Sequence, residues 1–406
     1  MKIVAATLFS LRIPFVEAFA HSIRSRTYSD SIVVRVEADD GTVGYGEAVA
    51  RPYVTGETVE SCLAFMTTTL WPAVQYQEYP LPPPPTDIEP DGALGWLNDV
   101  AATLPTSSSA TVADDSGHGV VAWNAARAGW EVALIDCLLK AEGLSLSQLL
   151  PPTRSPITYS GVITASGVEQ AVKMAKRFKQ FGIPHLKVKV TGTGDRQCIA
   201  AIRDAVGAAP SLRIDGNGAY SVESAIATCA DLADFNIDSA EQLIPRGQPA
   251  DLAAVQAASP IPQMADESLI TMADAEALID AHACEWFNLR ISKCGGLAQT
   301  VAIAQKAEAA GIRLQLGCQV GETAILSAAG RHLAAWLPTV EFVEGSYGKL
   351  LLTQDVSRNP IHFGHRGQAP ILTKPGLGVE VQDDVLDTFA YQTIHLSADV
   401  PTNPIA

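Results

Sequence analysis

The sequence predicts an α/β fold in which a parallel barrel of alternating strands and helices follows an N-terminal region of mixed strands and helices. Two observations predict the barrel. Eight short apolar runs alternate with Ala-rich helical stretches after residue 156, and charged residues recur near the ends of five of these runs at an almost constant interval. A third observation, a β-rich start with an Asp-Gly turn, sets residues 1–50 apart from the barrel.

The N-terminal region is predicted to be a sheet followed by helix. Residues 1–50 hold strand-like runs on both sides of the turn in "VEADDGTVGYGEA". Residues 120–150 space their apolar residues three to four positions apart, with Gly143 as a stop signal. Between them, residues 81–119 are rich in Pro, Ser and Asp, which predicts a long irregular insertion.

The barrel is predicted from eight strand candidates, each bounded by a helical stretch. They are, in chain order, "PITYSGVI", "HLKVKV", "LRIDGNG", "FNIDSAEQL", "IPQMADES", "WFNLRIS", "RLQLGCQ" and "TVEFVEG". The tail does not continue this pattern, and we expect it to pack back on the N-terminal region. The predicted domains are therefore 1–150, 151–349 for the barrel, and the C-terminal segment 350–406.

The composition is that of a globular protein, with 47% hydrophobic and 18% charged residues. A net charge of −16 argues against a nucleic-acid partner, because such proteins present a basic face. No stretch is long enough for a membrane span, and charged and proline residues interrupt the apolar start, which argues against a signal peptide. Seven scattered cysteines without a C-x-x-C pair predict reduced thiols, and we expect a cytoplasmic protein.

Charged residues stand near the carboxyl ends of five successive strand candidates: Lys189, Asp215, Glu241, Asp266 and Lys293. Their separations are 26, 26, 25 and 27 residues, which is one strand–helix unit each time. The five groups therefore ring one end of the barrel, the end at which barrel enzymes build their active sites. A purely structural network of salt bridges would explain why charged residues are buried, but not why they recur at the same position in successive strand–helix units.

Three of the five groups are carboxylates on neighbouring strands, and like charges this close resist common ionisation without a cation. Oxygen ligands from Asp and Glu suit magnesium or manganese. The alternation in "HLKVKV" puts Lys187 and Lys189 on the polar interior of the barrel, with Lys293 across the ring. A divalent cation among three ammonium groups attracts a small-molecule carboxylate, and it suits removal of the proton next to that carboxylate.

At these residues the sequence resembles the enolase superfamily, specifically the muconate-lactonizing-enzyme subgroup of the mandelate racemase and muconate lactonizing enzyme family. The matching motifs are "KVK" at 187–189, "DGNGAY" at 215–220, "AEQ" at 240–242, "ADES" at 265–268 and "SKCGG" at 292–296. Two N-terminal stretches, "DDGTVGYGEA" and "AARAGWEVALIDCLLKAEGLSLSQLL", are similar to that family's capping domain. The resemblance implies a (β/α)7β TIM-type barrel with an N-terminal α+β capping domain that the C-terminal tail completes.

The resemblance also implies roles for eight residues and an enzyme that uses a lysine base with magnesium, a known pattern of this superfamily. By analogy we also expect a homo-oligomer. The roles are metal ligation by Asp215, Glu241 and Asp266, acid/base catalysis on opposite faces by Lys189 and Lys293, assistance to the enediolate by Lys187, and orientation of ligands and lysines by Asn217 and Glu267.

Departures from the family pattern bear on the substrate. The eighth strand reads "VEFVEGSYG", without the Asp-x-Asp with which dipeptide epimerases hold a substrate ammonium group, although Glu344 could substitute. Glu322 follows strand seven as a candidate pocket acid, with a helix-start carboxylate as the alternative interpretation. Tyr28, Arg51 and Tyr53 lie where the family's specificity loops fall and are further candidate substrate contacts.

Several reactions share the same first step. Return of the proton on the opposite face gives a racemase or epimerase and needs both Lys189 and Lys293. Attack or release at the β-carbon gives a cycloisomerase, or a carbon–oxygen lyase of the o-succinylbenzoate synthase type, in which one lysine can serve only as a cation. We favour an isomerase, because two lysines on opposite faces suffice for it. A Schiff-base aldolase, which needs one amine and no carboxylate triad, and a non-catalytic scaffold are distant alternatives.

Overall fold

The computed structural model describes residues 1–20, 25–84, 90–106, 122–164 and 167–397. An antiparallel sheet holds the N-terminal strands, and an eight-stranded parallel sheet follows it. Across these ranges no helix is long and apolar enough to cross a membrane. All seven cysteines are free thiols.

The antiparallel sheet is built from both ends of the chain. Its strands are β1 (Ile3–Ala20), β2 (Ser25–Ala38), β3 (Val43–Ala48) and the C-terminal β14 (Ala390–Ser397), in the order β14-β1-β2-β3. The Asp-Gly turn joins β2 to β3: Gly41 has a φ of 85°, and the Thr42 amide donates to Asp40 Oδ1 at 2.8 Å. The predicted hairpin is therefore present. The domain boundaries given above stay predictions.

Five helices of the described ranges lie between β3 and the barrel: α1 (Val59–Phe65), which continues through a π-helical turn at Met66–Leu70, α2 (Trp71–Val74), α3 (Pro90–Ala102), α4 (Asn124–Ala141) and α5 (Leu146–Leu149). Helix α3 corrects the expectation that residues 81–119 are irregular throughout. It buries Ala93, Trp96, Leu97 and Val100 at helical spacing, a period that the flanking Pro- and Ser-rich stretches obscured. Residues 85–89 and 107–121 of that segment lie outside the described residues.

Helix α4 is the element against which the sheet packs, and its residues from Asn124 to Leu139 are buried. At Gly46 of β3 an added Cβ would lie 2.0 Å from the Gly129 carbonyl oxygen, so the strand and the helix can approach this closely only at a glycine. The Asp136 carboxylate of α4 accepts from the backbone amides of Tyr45 at 2.9 Å and Leu377 at 2.8 Å. It thereby ties the sheet, the helix and the C-terminal segment together.

The parallel sheet consists of β5 (Gly161–Ile163), β6 (His185–Lys189), β7 (Ser211–Asp215), β8 (Ser239–Glu241), β9 (Gln263–Ala265), β10 (Trp286–Leu289), β11 (Arg313–Leu316) and β12 (Val340–Val343). The strands neighbour each other in chain order. A parallel bridge between Tyr159 and Val343, with the Ser160 amide donating to the Val343 carbonyl at 2.8 Å, joins the first strand to the last. The sheet therefore closes into the predicted barrel.

Each barrel strand is joined to the next through helix, which gives the (β/α)7β order that the sequence predicts. The connecting helices are α6 (Val168–Gln180), α7 (Asp195–Val206), α8 (Val222–Leu232), α9 (Pro249–Ala258), α10 (Met272–Asp280), α11 (Ile291–Cys294), α12 (Leu297–Ala309) and α13 (Ala324–Trp336). A 3-10 turn at Ala233–Phe235 follows α8 within the barrel. Outside the barrel lie α14 (Gly348–Leu351), α15 (Asp383–Phe389), the two-residue pair β4 (Ile157–Thr158) with β13 (Gln368–Ala369), and a 3-10 turn at His365–Gly367.

Candidate active site

A cavity of about 460 Å³ lies at the carboxyl ends of the barrel strands, which is the end that the charged ring predicts. Residues of the barrel, of α6, of β1 and of the C-terminal segment line it. Its charged and amide-bearing lining from the barrel strands and the loops after them comprises Lys187, Lys189, Asn217, Glu267, Arg290, Gln319, Glu322 and Glu344.

The two lysines of β6 line this cavity, while Leu186 and Val188 between them belong to the hydrophobic core. The strand alternation therefore works as predicted, with the ammonium groups inside the barrel. The Lys189 amine donates to Asp215 Oδ2 at 2.5 Å and to Asn217 Oδ1 at 2.6 Å. It is thus held by two oxygen acceptors at the end of the neighbouring strand, β7.

The Lys187 amine is surrounded by carboxylates. It lies 2.6 Å from Glu344 Oε2 and 3.2 Å from oxygens of both Glu241 and Asp215. Burial alone would lower the pKa of Lys187, but these three carboxylates hold that pKa well above its ordinary value. Lys187 is therefore a permanent buried cation.

Asp215, Glu241 and Asp266 stand at the ends of three successive strands and are fully buried. Asp215 pairs in register with Glu241, and Asp266 is the residue after β9. Asn288 and Gln315 each donate a side-chain amide to Glu241 at 2.9 Å. Burial would raise the pKa of Glu241, but the nearby cations Lys187, Arg290 and Lys189 together outweigh it and lower that pKa, so the carboxylate stays ionised.

The structure brings Arg290 to the cavity wall. Strand β10 ends at Leu289 and Arg290 is the next residue, in the same position relative to its strand as Asp266. The guanidinium pairs with Asp266, lies 3.6 Å from Glu241 Oε1, and donates to Gln319 Oε1 at 3.1 Å. Arg290 is not among the residues predicted from the sequence, although its position relative to its strand, the same as that of Asp266, was a usable signal.

Lys293 does not lie at the cavity wall, where its predicted role places it. It sits in the one-turn helix α11 beyond the strand end, fully buried, and it is not among the described residues that line the cavity. Its amine donates to the carbonyls of Asp266 at 2.6 Å and Asn288 at 2.8 Å, and lies 2.9 Å from Asp266 Oδ1. The 27-residue interval passes Arg290, the counterpart of Asp266, by three residues, which is why the spacing selected a lysine that ties the end of β9 to β10.

The three carboxylates fit a hard divalent cation in their chemistry, because they are oxygen donors that are buried together at one end of the barrel. In the structure their oxygens are paired with Lys187, Lys189, Arg290 and Lys293. No three His, Cys, Asp or Glu side chains of the described ranges are arranged as a metal-binding group. A cation held by Asp215, Glu241 and Asp266 would therefore have to replace some of these ion pairs.

Two further carboxyl groups line the cavity with raised pKa values. Burial, and then the neighbouring Asp266 carboxylate, raise the pKa of Glu267 to about 8. Glu267 accepts from the Asn217 side-chain amide at 3.2 Å, which connects it to Lys189. Burial also raises the pKa of Glu322 to about 8, although its Oε1 accepts from the Gln319 amide at 2.6 Å. Both are largely protonated at neutral pH.

The other predicted substrate contacts differ in their placement. Tyr53 and Glu344 line the cavity. Arg51 does not: it is fully buried and donates to backbone carbonyls of Asp30, Ala50 and Val320, which is a structural role. Tyr28 is also absent from the described lining.

Tyr28 is 37% exposed, and its ring stacks against the Arg12 guanidinium at 4.7 Å. Much of the remaining lining is apolar and was missed from the sequence. Helix α6 supplies part of this wall, since it follows the first barrel strand. The apolar lining residues include Val16, Val162, Met174, Phe178, Leu351 and Phe363, with Glu17 and Arg177 as charged neighbours.

Comparison with known proteins agrees with this geometry. Residues 169–385 match the family model described as "Enolase C-terminal domain-like". The chain is similar to N-succinyl-L-Arg/Lys racemase of Bacillus cereus, at 30% identity over 396 residues that cover 95% of this chain and 97% of that protein. It is also similar to muconate cycloisomerase 1 of Rhodococcus opacus, at 26% identity over 96% of this chain and 98% of that protein.

Solved structures give the same likeness. The crystal structure of the Bacillus cereus racemase matches with a TM-score of 0.84 and 28% identity, covering 98% of this chain and 100% of that chain. The dipeptide epimerase of Cytophaga hutchinsonii, complexed with Mg and the dipeptide D-Ala-L-Val, matches with a TM-score of 0.81 and 26% identity, covering 97% of this chain and 100% of that chain.

Proposed function

The chain belongs to the enolase superfamily and is an isomerase of it, and on this premise we propose that it removes the proton α to the carboxylate of a small-molecule substrate, using Lys189 as the base. The observation that carries the proposal is the position of Lys189 at the cavity wall, on the strand next to the buried carboxylates. Because an enediolate carries two negative oxygens, the cations around it supply the stabilisation that the reaction needs.

Lys189 suits the role of base because its amine is both reachable and positioned. Its side chain is 9% exposed and lines the cavity, while Asp215 and Asn217 hold the amine at 2.5 and 2.6 Å. A base must lie within hydrogen-bonding reach of the proton it abstracts, and a group on the cavity wall meets this condition. Asn217 in turn donates to Glu267, so a chain of hydrogen bonds fixes the lysine.

Lys187 is proposed as the fixed cation beside the developing charge. It cannot easily lose its proton among Glu344, Glu241 and Asp215, and it lines the same cavity. A preorganised cation of this kind stabilises negative charge as it forms on the substrate carboxylate.

Members of this superfamily generally bind a divalent metal. We propose Mg²⁺, with Mn²⁺ as the alternative, and Asp215, Glu241 and Asp266 as its ligands. When bound, the metal would act as a Lewis acid on the substrate carboxylate. Asn288 and Gln315 would keep the Glu241 carboxylate oriented through the amides that they donate at 2.9 Å.

The cavity supports a substrate with one carboxylate and a largely apolar body. Its cationic inner residues suit the carboxylate, and its apolar wall suits a hydrocarbon chain or ring. Glu344 is a poor partner for a substrate ammonium, because it is already engaged by Lys187 at 2.6 Å and by Arg213 at 3.2 Å. This weighs against a dipeptide with a free amino group.

Deuterium exchange tests this function. The protein is incubated with Mg²⁺ in D2O with N-succinyl-L-lysine, D-Ala-L-Val or cis,cis-muconate, and proton NMR follows loss of the α-proton signal or ring closure. We expect turnover of at least one of these probes, and a decrease of about 10²- to 10⁴-fold in Lys189→Met. Lys173→Met changes an exposed lysine of α6 and serves as the control with unchanged activity.

Two results would count against the proposal. Exchange in Lys189→Met at the native rate would show that Lys189 is not the base. Activity that survives exhaustive treatment with EDTA would show that the reaction does not depend on a metal. A homo-oligomer and a cytoplasmic location stay predictions.

A further inference from the structure

Arg290 lies across the barrel from Lys189. The sheet has eight strands in closed order, and β10, which Arg290 follows, is four strands away from β6, which ends at Lys189. Four strands is half of the circle, so the two residues stand on opposite sides of the cavity that both of them line. A substrate bound between them would meet Lys189 on one face and Arg290 on the other.

Lys293 cannot fill this position. Its side chain is 0% exposed, and its amine is used by two backbone carbonyls and by Asp266 Oδ1. Bringing the amine to a substrate would break all three of these buried contacts, which is costly. The residue that reaches the cavity from this part of the chain is therefore an arginine.

An arginine cannot do what a lysine does there. The guanidinium carries five N–H donors and no acceptor, and it keeps its proton in proteins. It can hold a carboxylate or stabilise negative charge, but it neither takes a proton from carbon nor returns one readily.

We propose that Arg290 is the cation on the substrate face opposite Lys189, and that protons enter and leave the α-carbon on the Lys189 face alone. This rests on the role of Lys189 proposed above. Proton transfer on one face alone distinguishes between the isomerases that share the first step. A racemase or epimerase needs a proton carrier on each face of the substrate, whereas ring closure and ring opening need only one.

The structure therefore favours cycloisomerisation. This reaction needs no reactant besides the substrate, because every bond and proton is accounted for within it. In ring opening, the Lys189 amine takes the α-proton, the electron pair forms a carbon–carbon double bond, and the ring C–O bond breaks with the oxygen keeping its electron pair as a carboxylate. In ring closure that oxygen adds to the β-carbon, and the Lys189 ammonium delivers the proton to the α-carbon. Arg290 would hold the carboxylate or the charge that develops on it.

Two acids line the cavity in the loops after the strands beside β10. Glu267, after β9, accepts from Asn217, which holds Lys189. Glu322 lines the cavity in the loop after β11, the neighbour of β10. A proton delivered by Glu322 would invert the stereocentre, so the stereochemical outcome tests this rival together with the proposal.

The test is the stereochemistry of the probes that turn over with Mg²⁺ in D2O. We expect the native enzyme to exchange the α-proton of N-succinyl-L-lysine or D-Ala-L-Val with retention, at least about 10²-fold faster than it inverts the centre, or to close the ring of cis,cis-muconate. Arg290→Lys puts a titratable amine on the opposite face and should produce inversion.

Arg177→Lys is the control: it makes the same substitution elsewhere in the cavity lining and should leave the stereochemistry unchanged. Inversion by the native enzyme would overturn the proposal, and its loss in Glu322→Gln would identify the rival acid.

A second experiment, chemical labelling, needs no turnover. It therefore tests the placement of Arg290 separately from the proposed function. Native protein is treated with phenylglyoxal, which labels arginines, and with an acylating reagent, which labels lysines, and the peptides are mapped by mass spectrometry. We expect labelling of Arg290 and Lys189 but not of Lys293, and the fully buried Arg213 serves as the control that resists phenylglyoxal. Labelling of Lys293 with Arg290 protected would overturn the placement of Arg290. Labelling as expected with no exchange of any probe would count against the proposed function instead.

Discussion

Glu344 is one carboxylate shared by two buried cations. One of its oxygens lies 2.6 Å from Lys187 Nζ and the other lies 3.2 Å from Arg213 Nη1, and all three side chains are at most 5% exposed. Removing one partner of a buried pair leaves an uncompensated charge, which costs far more than losing a surface pair. We therefore expect Glu344→Gln to lower the free energy of unfolding by about 3 kcal/mol, measured by urea denaturation.

The same strand offers a matched control. Glu341 of β12 forms an ion pair with Arg313 at 2.5 Å, but both side chains are more than 40% exposed. Glu341→Gln should change the free energy of unfolding by less than about 1 kcal/mol, because water screens the pair. Equal losses in the two variants would show that burial is not what gives the Glu344 interactions their strength.

Single residues were predictable from the sequence where strand geometry fixes them. Asp215 and Glu241 end their strands in register, so a period of one strand–helix unit finds them. The period carries no information on where a strand ends, so it selected Lys293 instead of Arg290. It also could not show that Arg51 would donate to backbone carbonyls, since those carbonyls come from three separate parts of the chain: β2, the loop after β3 and the loop after β11.

At the element scale, the close contact between β3 and α4 requires a glycine at position 46. A Cβ at Gly46 would lie 2.0 Å from the Gly129 carbonyl oxygen and 2.5 Å from the Ala133 amide nitrogen, both of which are backbone atoms that cannot move away alone. Gly46→Ala should therefore push the strand off the helix and destabilise the protein by at least about 2 kcal/mol. Thermal or urea unfolding of the purified variant measures this loss.

Gly95 of α3 is the contrasting glycine. It is exposed within the helix, and a Cβ there would meet nothing within 4 Å. Gly95→Ala should stabilise the protein by about 0.5–1 kcal/mol, because alanine favours helix and loses less backbone entropy on folding. A destabilised Gly95→Ala together with a neutral Gly46→Ala would contradict both packing arguments.

Whole elements were more predictable than residues when their pattern repeated. Eight apolar runs with helices between them predict a parallel sheet, since each run needs cover on both faces. Helix α3 was missed because it is a single helix between Pro- and Ser-rich stretches, and composition outweighed the spacing of its four buried residues. The part of the cavity wall that α6 forms was not predicted, because the sequence does not show which face of α6 will line the cavity once the helix packs on the barrel.

At the scale of the whole molecule, buried carboxylates of the N-terminal part join it to the barrel. Glu47 of β3 accepts from the Thr323 amide and hydroxyl at the start of α13, the closest contact being 2.8 Å. Glu131 of α4 accepts from the Ala298 amide at the start of α12, also at 2.8 Å. Both carboxyls thus satisfy free amides at helix N-termini of the barrel, where negative charge is also favoured by the helix dipole.

These two carboxyls give the molecule a pH-dependent stability. Burial raises the pKa of Glu47 and of Glu131 from 4.5 to about 7 in each case. The folded state therefore keeps a proton that the unfolded chain releases near pH 4.5. The stability that each group contributes is fully present below that pH and is lost as the pH rises to about 7, with a slope of about 1.4 kcal/mol per pH unit for each group.

We therefore expect the free energy of unfolding to be higher at about pH 5.5 than at about pH 7.5, and Glu47→Gln to reduce that difference by about 2 kcal/mol. Glutamine keeps an oxygen acceptor for Thr323 but cannot titrate, so it removes the slope and preserves the contact. Urea denaturation at the two pH values measures the difference, with Glu60→Gln, at an exposed position in α1, as the control that should leave it unchanged. If Glu47→Gln and the native protein gave the same difference, Glu47 would be ionised in the fold at neutral and mildly acidic pH alike, and the Thr323 contacts would outweigh the cost of burying its charge.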